Sequence, residues 1–153
     1  MEVRLATSDD IDALCPLVSE LFAYNAVLQP RYCAADIESG EYPKSIIESD
    51  NAAFLVATKG GAMVGFIHIS QMKTPPFGSV VPHRYAEIIA FMVTATHRRQ
   101  GIGSKLIDAA KQWSKARKLD YIELITLNNA GDALRFYERE NFATVSYIKR
   151  YTL

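Results

Sequence analysis

Cysteine, net charge and long apolar runs are what this chain has least of. Its two cysteines, Cys15 and Cys33, are too few and too isolated for a disulfide framework or a cysteine metal site. Cys15 falls within an amphipathic pattern and reads as a small core residue, which fits a reduced, cytoplasmic setting. Lys plus Arg and Asp plus Glu both number 17, so the chain as a whole is not a basic nucleic-acid binder. No apolar run is read as long enough to span a membrane. Met1-Glu2-Val3-Arg4 is read as opening directly into structure, with no secretory signal. No linker, internal repeat or low-complexity segment stands out, and no metal site is read.

What is present is an ordinary globular composition, 49% hydrophobic and 22% charged over 153 residues. That length suits one domain, residues 1–153, with its own hydrophobic core. Val3–Ala6 reads as a strand. Thr7-Ser8-Asp9-Asp10 is a helix-start signal, and Ile11, Leu14, Cys15, Val18, Leu21 and Phe22 then recur at helical spacing. Pro16 within that pattern predicts a kink or a break. Ser45–Glu48 is read as part of a short helix opened by Pro43. Ala53–Lys59, the turn Gly60-Gly61 and Ala62–Met72 read as a hairpin. The loop Thr74-Pro75-Pro76-Phe77-Gly78 follows. Further on come a strand Ala86–Thr94, a helix Ile102–Lys118, a strand Tyr121–Leu127, a helix Asp132–Glu140 and a final strand Ala143–Tyr151. Hairpins combined with helical crossovers predict an α/β chain of mixed α+β character, with a central mixed sheet and helices on both faces.

The most informative segment joins a strand to a helix: Phe91-Met92-Val93, then Arg98-Arg99-Gln100-Gly101-Ile102-Gly103-Ser104. A helix N-terminus leaves N–H groups unpaired and favours an anion. Gly101 and Gly103 let backbone approach closely, and Arg98 and Arg99 add charge. From His97 to Lys118 seven basic residues (98, 99, 105, 111, 115, 117, 118) face one acid, Asp108, a local charge of +6. Neither the three-glycine dinucleotide pattern nor the nucleoside-triphosphate loop is present. What remains, Arg-x-x-Gly-x-Gly after a strand, resembles motif A of the GNAT superfamily of N-acetyltransferases. Downstream, Asn129 to Phe142 is similar to that superfamily's motif B, with Ala133, Phe136, Tyr137, Glu138 and Phe142 matching. Asn129 stands one residue further from the tyrosine than usual, and Asn141 replaces a glycine.

The resemblance implies a single-domain acyl-CoA N-acyltransferase fold with a mostly antiparallel sheet, acetyl-CoA as co-substrate and no metal. It implies that Arg98, Arg99, Gln100, Gly101, Ile102, Gly103 and Ser104 cradle the pyrophosphate. Backbone groups of Phe91, Met92 and Val93 would serve the pantetheine and the oxyanion, freed by a bulge or splay. Asn129 would also contact the cofactor. Tyr137 matches the general acid for the departing thiolate. Glu87, an acid in an apolar strand, is the candidate base. His83 and His97 are loop alternatives, and His68 is read as alternating outward.

For the acceptor, Asp36, Glu38, Glu41, Glu48 and Asp50, with Tyr24, Tyr32, Tyr42, Phe77 and Tyr85, suggest an acidic, aromatic pocket for a small cationic amine. Open alternatives are a non-catalytic acyl-CoA-binding or sensing module, a partner-binding protein, and an enzyme acting on a protein or peptide amine. No nucleic acid or membrane partner is expected. Val145, Tyr147 and Ile148 in the final strand offer an edge for a homodimer.

Overall fold

The structure is a computed structural model that describes residues 1–153. One five-stranded sheet runs β1 (Glu2–Leu5), β2 (Ala52–Lys59), β3 (Ala62–Lys73), β4 (Arg84–Val93), β5 (Ile122–Leu124), in that spatial order. The first three pairings are antiparallel, and β4–β5 is parallel. The parallel step requires a crossover, which α3 (Ile102–Ala116) supplies.

Alternation along the strands builds two cores. Leu55, Ala57, Ile67, Ile69, Ala86 and Ile88 pack under Ile102, Leu106, Ile107, Ala110 and Trp113 of α3. Phe54, Val56, Phe66 and Met92 point the other way, against Leu14 and Val18 of α1 (Ile11–Leu28). Tyr42, Ile46 and Ile47 of α2 (Glu41–Ile47) close that side. α3 also buries one polar residue, Ser114. The Ser114 hydroxyl is satisfied by donating to Ala110 O at 2.8 Å. The expected mixed sheet with helices on both faces is what forms.

Several expectations change. Pro16 does not break α1, which runs through it as one helix of 18 residues. Pro43 sits inside the first turn of α2, where its missing N–H costs nothing, so the helix starts earlier than expected, at Glu41. The helical stretch Ser8–Leu28, including a 3-10 turn at Ser8–Asp10, has 21 residues and mean hydropathy 1.4. By length and composition alone it is long and apolar enough to cross a membrane, which corrects the reading that no such run exists. Here Leu14 and Val18 of that stretch are fully buried against the sheet.

The strand expected at Tyr121–Leu127 shortens to Ile122–Leu124, and the strand expected at Ala143–Tyr151 does not form. Residues 143–153 are all exposed and have no backbone partner. Their alternating pattern suits a strand, but a strand needs a neighbour to pair with, and none lies beside this segment.

Candidate active site

β4 and β5 pair only at Ala86–Ile122, Glu87–Glu123 and Ile88–Leu124. Beyond Ile88 the two strands separate. On the opposite edge, β4 stays paired with β3, but the register jumps from Ile69–Ile88 to His68–Ala90, leaving Ile89 as a bulge. The bulge therefore lies two residues before the segment Phe91–Val93 where one was expected. It turns the strand over: Ala86 and Ile88 belong to the α3-side core, and so do Phe91 and Val93. Met92 and Ala90 join the α1 side.

The splay exposes backbone. Thr94 N–H donates to Val64 O of β3 at 2.9 Å. Strand alternation then aims the N–H groups of Phe91 and Val93 away from β3, toward the gap left by β5. The carbonyl of Val93 accepts from Arg98 Nε at 3.0 Å, which ties the following loop to the gap.

A cleft of about 600 Å³ opens here, lined by Phe91, Met92 and Val93, the loop from His97 to Ser104, α4 (Gly131–Arg139), and Glu20, Leu21 and Tyr24 of α1. At its head is the N-terminus of α3, capped by Gly101 in the left-handed conformation at φ +77°. Arg99 also has positive φ, +59°. A turn of this shape presents successive N–H groups to one side. Gly103 serves differently: a Cβ there would stand 3.0 Å from Phe136 Cε2 and 3.3 Å from Phe91 Cζ, so its bareness seats α3 on the aromatic floor.

Arg98, Arg99, Arg135 and Arg139 face Glu20 and Asp132 around the cleft. Arg135 pairs with Asp132 at 2.6 Å, which holds the Asp132 carboxyl below its usual range. Arg99 and Arg139 form no ion pair, so their charge is free for an anionic ligand.

Tyr137 stands among Phe91, Phe136 and Phe142, with ring centroids 5.5 to 6.1 Å away. Burial pushes its phenol well above the ordinary range, so it stays protonated. Its hydroxyl makes no hydrogen bond within the protein, and the residue lines the cleft. A protonated phenol with no internal partner is equipped to donate.

The structure thus gathers Phe91, Met92, Val93, Arg98, Arg99, Gly101, Gly103, Ser104 and Tyr137 at one cleft. Four expected residues are not among its walls. Gln100 spends its side chain outward, accepting from Lys59 Nζ at 2.7 Å and donating to Thr96 O. The Ile102 side chain is buried in the core at 1% exposure, leaving only its backbone at the helix start. Asn129 donates to Leu28 O at 2.8 Å, tying the loop before α4 to the end of α1. Glu87 lies before the bulge, half-buried, next to Glu123 on β5 and opposite Ser70 on β3. Burial, and then the Glu123 carboxylate, push its pKa up. Ser104 lines the cleft, but its hydroxyl donates to Glu140 Oε1 at 2.5 Å.

Other histidines and acids are re-placed. His68 does not alternate outward: it is buried between Tyr42, whose hydroxyl lies 2.5 Å from Nδ1, and Ser70, and burial pushes its pKa down to about 4. His83 is held in the loop before β4 by Asp120 at 2.9 Å. His97 lines the cleft, with Nδ1 at 3.0 Å from the hydroxyls of Thr94 and Thr96. Glu38 is used to cap α2, accepting from Gly40 N–H at 2.8 Å. Tyr42 is committed to His68, so the acidic aromatic pocket expected from residues 30–50 is not assembled as read. Glu20 and Tyr24 wall the cleft from α1, whose amphipathic pattern alone gave no sign of a second, functional face.

The model of the acetyltransferase (GNAT) family matches residues 20–142. An uncharacterized N-acetyltransferase, YhfO, of Bacillus subtilis is 25% identical over 143 residues, 93% of this chain and 89% of that protein. N-acetyltransferase family 8 member 3 of Rattus norvegicus is 26% identical over 73% of the chain, which spans only 48% of the rat protein. Among solved structures, a tetramutant of BH1408 from Bacillus halodurans superposes with TM-score 0.93 over 100% of both chains at 19% identity. The aminoglycoside N-acetyltransferase AAC(6')-Iy in complex with CoA superposes with TM-score 0.77 at 14% identity, covering 99% of this chain and 98% of that one. A family match across most of the chain, on a sheet that splays beside a capped helix N-terminus, places this protein in the GNAT family of N-acetyltransferases.

Proposed function

We propose that the chain transfers the acetyl group of acetyl-CoA to a primary amine on a small acceptor, by direct attack in a ternary complex. The observation that carries this reading is the splay after Ile88, which turns the Phe91 and Val93 N–H groups into a cleft ending at the N-terminus of α3. The cleft fits coenzyme A: it offers unpaired backbone donors along one wall and two unpaired arginines, Arg99 and Arg139. Pyrophosphate would sit at the Arg98–Gly103 turn, held by N–H groups and the helix dipole. The pantetheine amides would pair with the freed edge of β4, extending the sheet where β5 departs.

Amide formation needs a neutral amine, and an alkylamine arrives largely protonated at neutral pH. Glu87, with its raised pKa, is suited to take that proton, directly or through water. A freed N–H of β4 stabilises the oxyanion. Tyr137 gives its proton to the leaving sulfur. Glu87 and Tyr137 belong to opposite faces of the sheet, since Tyr137 packs with Phe91 on the α3 side and Glu87 precedes the bulge. Glu20 and Tyr24 on the cleft wall, together with the Glu87–Glu123 pair, favour a cationic acceptor. The aminoglycoside acetyltransferase among the structural neighbours supports a small polyamine-like or amino-sugar acceptor. Thiol release from acetyl-CoA across a panel of amines tests the reading. Turnover confined to neutral or acidic amines rejects the cationic acceptor.

A further inference from the structure

A line of polar groups crosses the apolar core beneath α2, and none of them lines the cleft. It runs from Tyr42 in the first turn of α2 through His68 to Ser70, both on β3. His68 is only 4% exposed and packs against the rings of Tyr42 and Phe54, with centroids 5.4 and 5.2 Å away. Polar groups enclosed in this way cost stability unless their hydrogen bonds are made.

The bonds run in one direction. The Tyr42 phenol stays protonated, because burial and then the Glu38 carboxylate push its pKa up. It finds no other acceptor in the protein, so its hydroxyl donates to His68 Nδ1 at 2.5 Å. Burial keeps the His68 imidazole neutral, with its pKa down at about 4. A neutral ring that accepts at Nδ1 carries its proton on Nε2, which donates to Ser70 Oγ at 3.0 Å. The Ser70 hydroxyl is then left with its own proton to give. Directly across the β3–β4 ladder from Ser70, on the same face of the sheet, is Glu87. Opposite residues in such a ladder have Cβ atoms about 4.5–5.5 Å apart, within reach of a hydroxyl and a longer carboxylate side chain.

We propose that Tyr42, His68 and Ser70 form a one-way chain of hydrogen bonds that ends on the Glu87 carboxylate and aims it at the acceptor amine. His68 is then a positioning residue that acts through Ser70, and the inference rests on the reading of Glu87 as the base. The last link is not made in this structure and needs only rotation of the Ser70 and Glu87 side chains. A donor to the charged form of a carboxyl favours that form. Here it opposes burial and Glu123 on β5, which both act against the Glu87 charge. The other titratable groups on this face are Tyr85 of β4 and Tyr121 beside β5, with His68 on β3 and Tyr42 and Glu38 from the α2 side. Every member of the chain is neutral, so it steadies the carboxylate without setting a cation beside a cationic amine.

Carbon-13 NMR titration of the Glu87 side-chain carboxyl in the full chain, beside the pH profile of kcat, tests this in Ser70→Ala, Ser70→Thr and Tyr42→Phe. Ser70→Ala should raise the Glu87 pKa by about one unit, since a hydrogen bond to a charged group is worth at least that. The acid limb of kcat should move up with it, a loss of about tenfold at low pH that vanishes at alkaline pH, with the acetyl-CoA KM unchanged. Tyr42→Phe should shift both in the same direction by less. Ser70→Thr keeps the hydroxyl and should match the parent. A Glu87 pKa that stays in place in Ser70→Ala overturns the inference, as does a shift in Ser70→Thr equal to that in Ser70→Ala. The NMR readout does not depend on turnover: a shift there, with full kcat in Glu87→Gln, would uphold the chain and reject Glu87 as the base.

Discussion

Glu87 and Phe91 lie four residues apart in one strand, yet their side chains leave opposite faces of the sheet. Without the bulge at Ile89 they would share a face, since odd-numbered residues of a regular strand do. The bulge sends Phe91 toward Phe136 and Tyr137 and leaves Glu87 beside Ser70 and Glu123. Acid and base candidates thereby belong to opposite faces of the sheet, Glu87 within the paired β4–β5 stretch and Tyr137 at the cleft beyond it.

Glu87→Gln should lower kcat by about 100-fold, in the usual range for a lost general base, with little change in the acetyl-CoA Kd. The sign for stability is the reverse of the usual carboxylate case. A carboxyl whose folded pKa is raised favours the fold when protonated and opposes it once ionised above that pKa. The variant should therefore be as thermally stable as the parent at pH 7, or more so. A drop in Tm with kcat unchanged would make Glu87 a structural residue.

Tyr137→Phe should lower kcat by about 10- to 100-fold while the cofactor Kd moves less than about threefold, because only a proton donor is removed. The deficit should persist across the neutral range, as burial keeps the phenol protonated there. Initial rates from pH 6 to 9 with a fixed amine check this. Full turnover in the variant would assign the acid role elsewhere.

The two glycines of the turn should fail differently. Gly101→Ala meets no neighbour, but its φ of +77° costs a side chain roughly 1–2 kcal/mol. Gly103→Ala has ordinary backbone but sets a Cβ 3.0 Å from Phe136 and 3.3 Å from Phe91, so the rings must give way by a few tenths of an ångström. Thermal melts should show both losing Tm. Calorimetric titration with CoA should show Gly103→Val losing binding more severely than Gly101→Ala, because it displaces the aromatic floor under the cleft.

Strong acid should loosen the contact between Arg4 and Asp10 at the N-terminus. Arg4 donates to both Asp10 oxygens at 2.7 and 2.8 Å, and Thr7 N–H adds a third bond, so the carboxyl falls to about 2 from 3.8. A depressed folded pKa stabilises fully above the unfolded value and is lost as pH falls from about 4 through about 2. Arg4 is partly exposed, so screening reduces the contribution to about 1 kcal/mol. Asp10→Asn should lose that amount at pH 7 in urea melts and show a flatter decline toward pH 2.

The sheet, its hairpin and α3 were legible in the sequence because each rests on a local pattern: the apolar run Ala53–Ala57, Gly60-Gly61 at the turn, and Leu106, Ala110 and Trp113 at helical spacing. The turn Arg98–Gly103 was legible for the same reason. The bulge at Ile89 was not, because every residue around it is apolar and the extra residue is visible only against β3. His68 was misread because alternation gives two faces without saying that α2 covers one of them with Tyr42. Glu20 and Tyr24 were missed because they lie on the helix flank beside the core stripe. The tail was read as a strand from a pattern that a single chain leaves unpaired.

Acetyl transfer is tested most directly by following free thiol released from acetyl-CoA in the presence of a panel of small primary amines, polyamines and amino sugars included. Stoichiometric thiol and N-acetylated amine, with turnover sharply reduced in Tyr137→Phe, is the predicted result. Saturable CoA binding with no thiol released by any amine, small or peptidic, would contradict it and leave a cleft that holds the cofactor without using it.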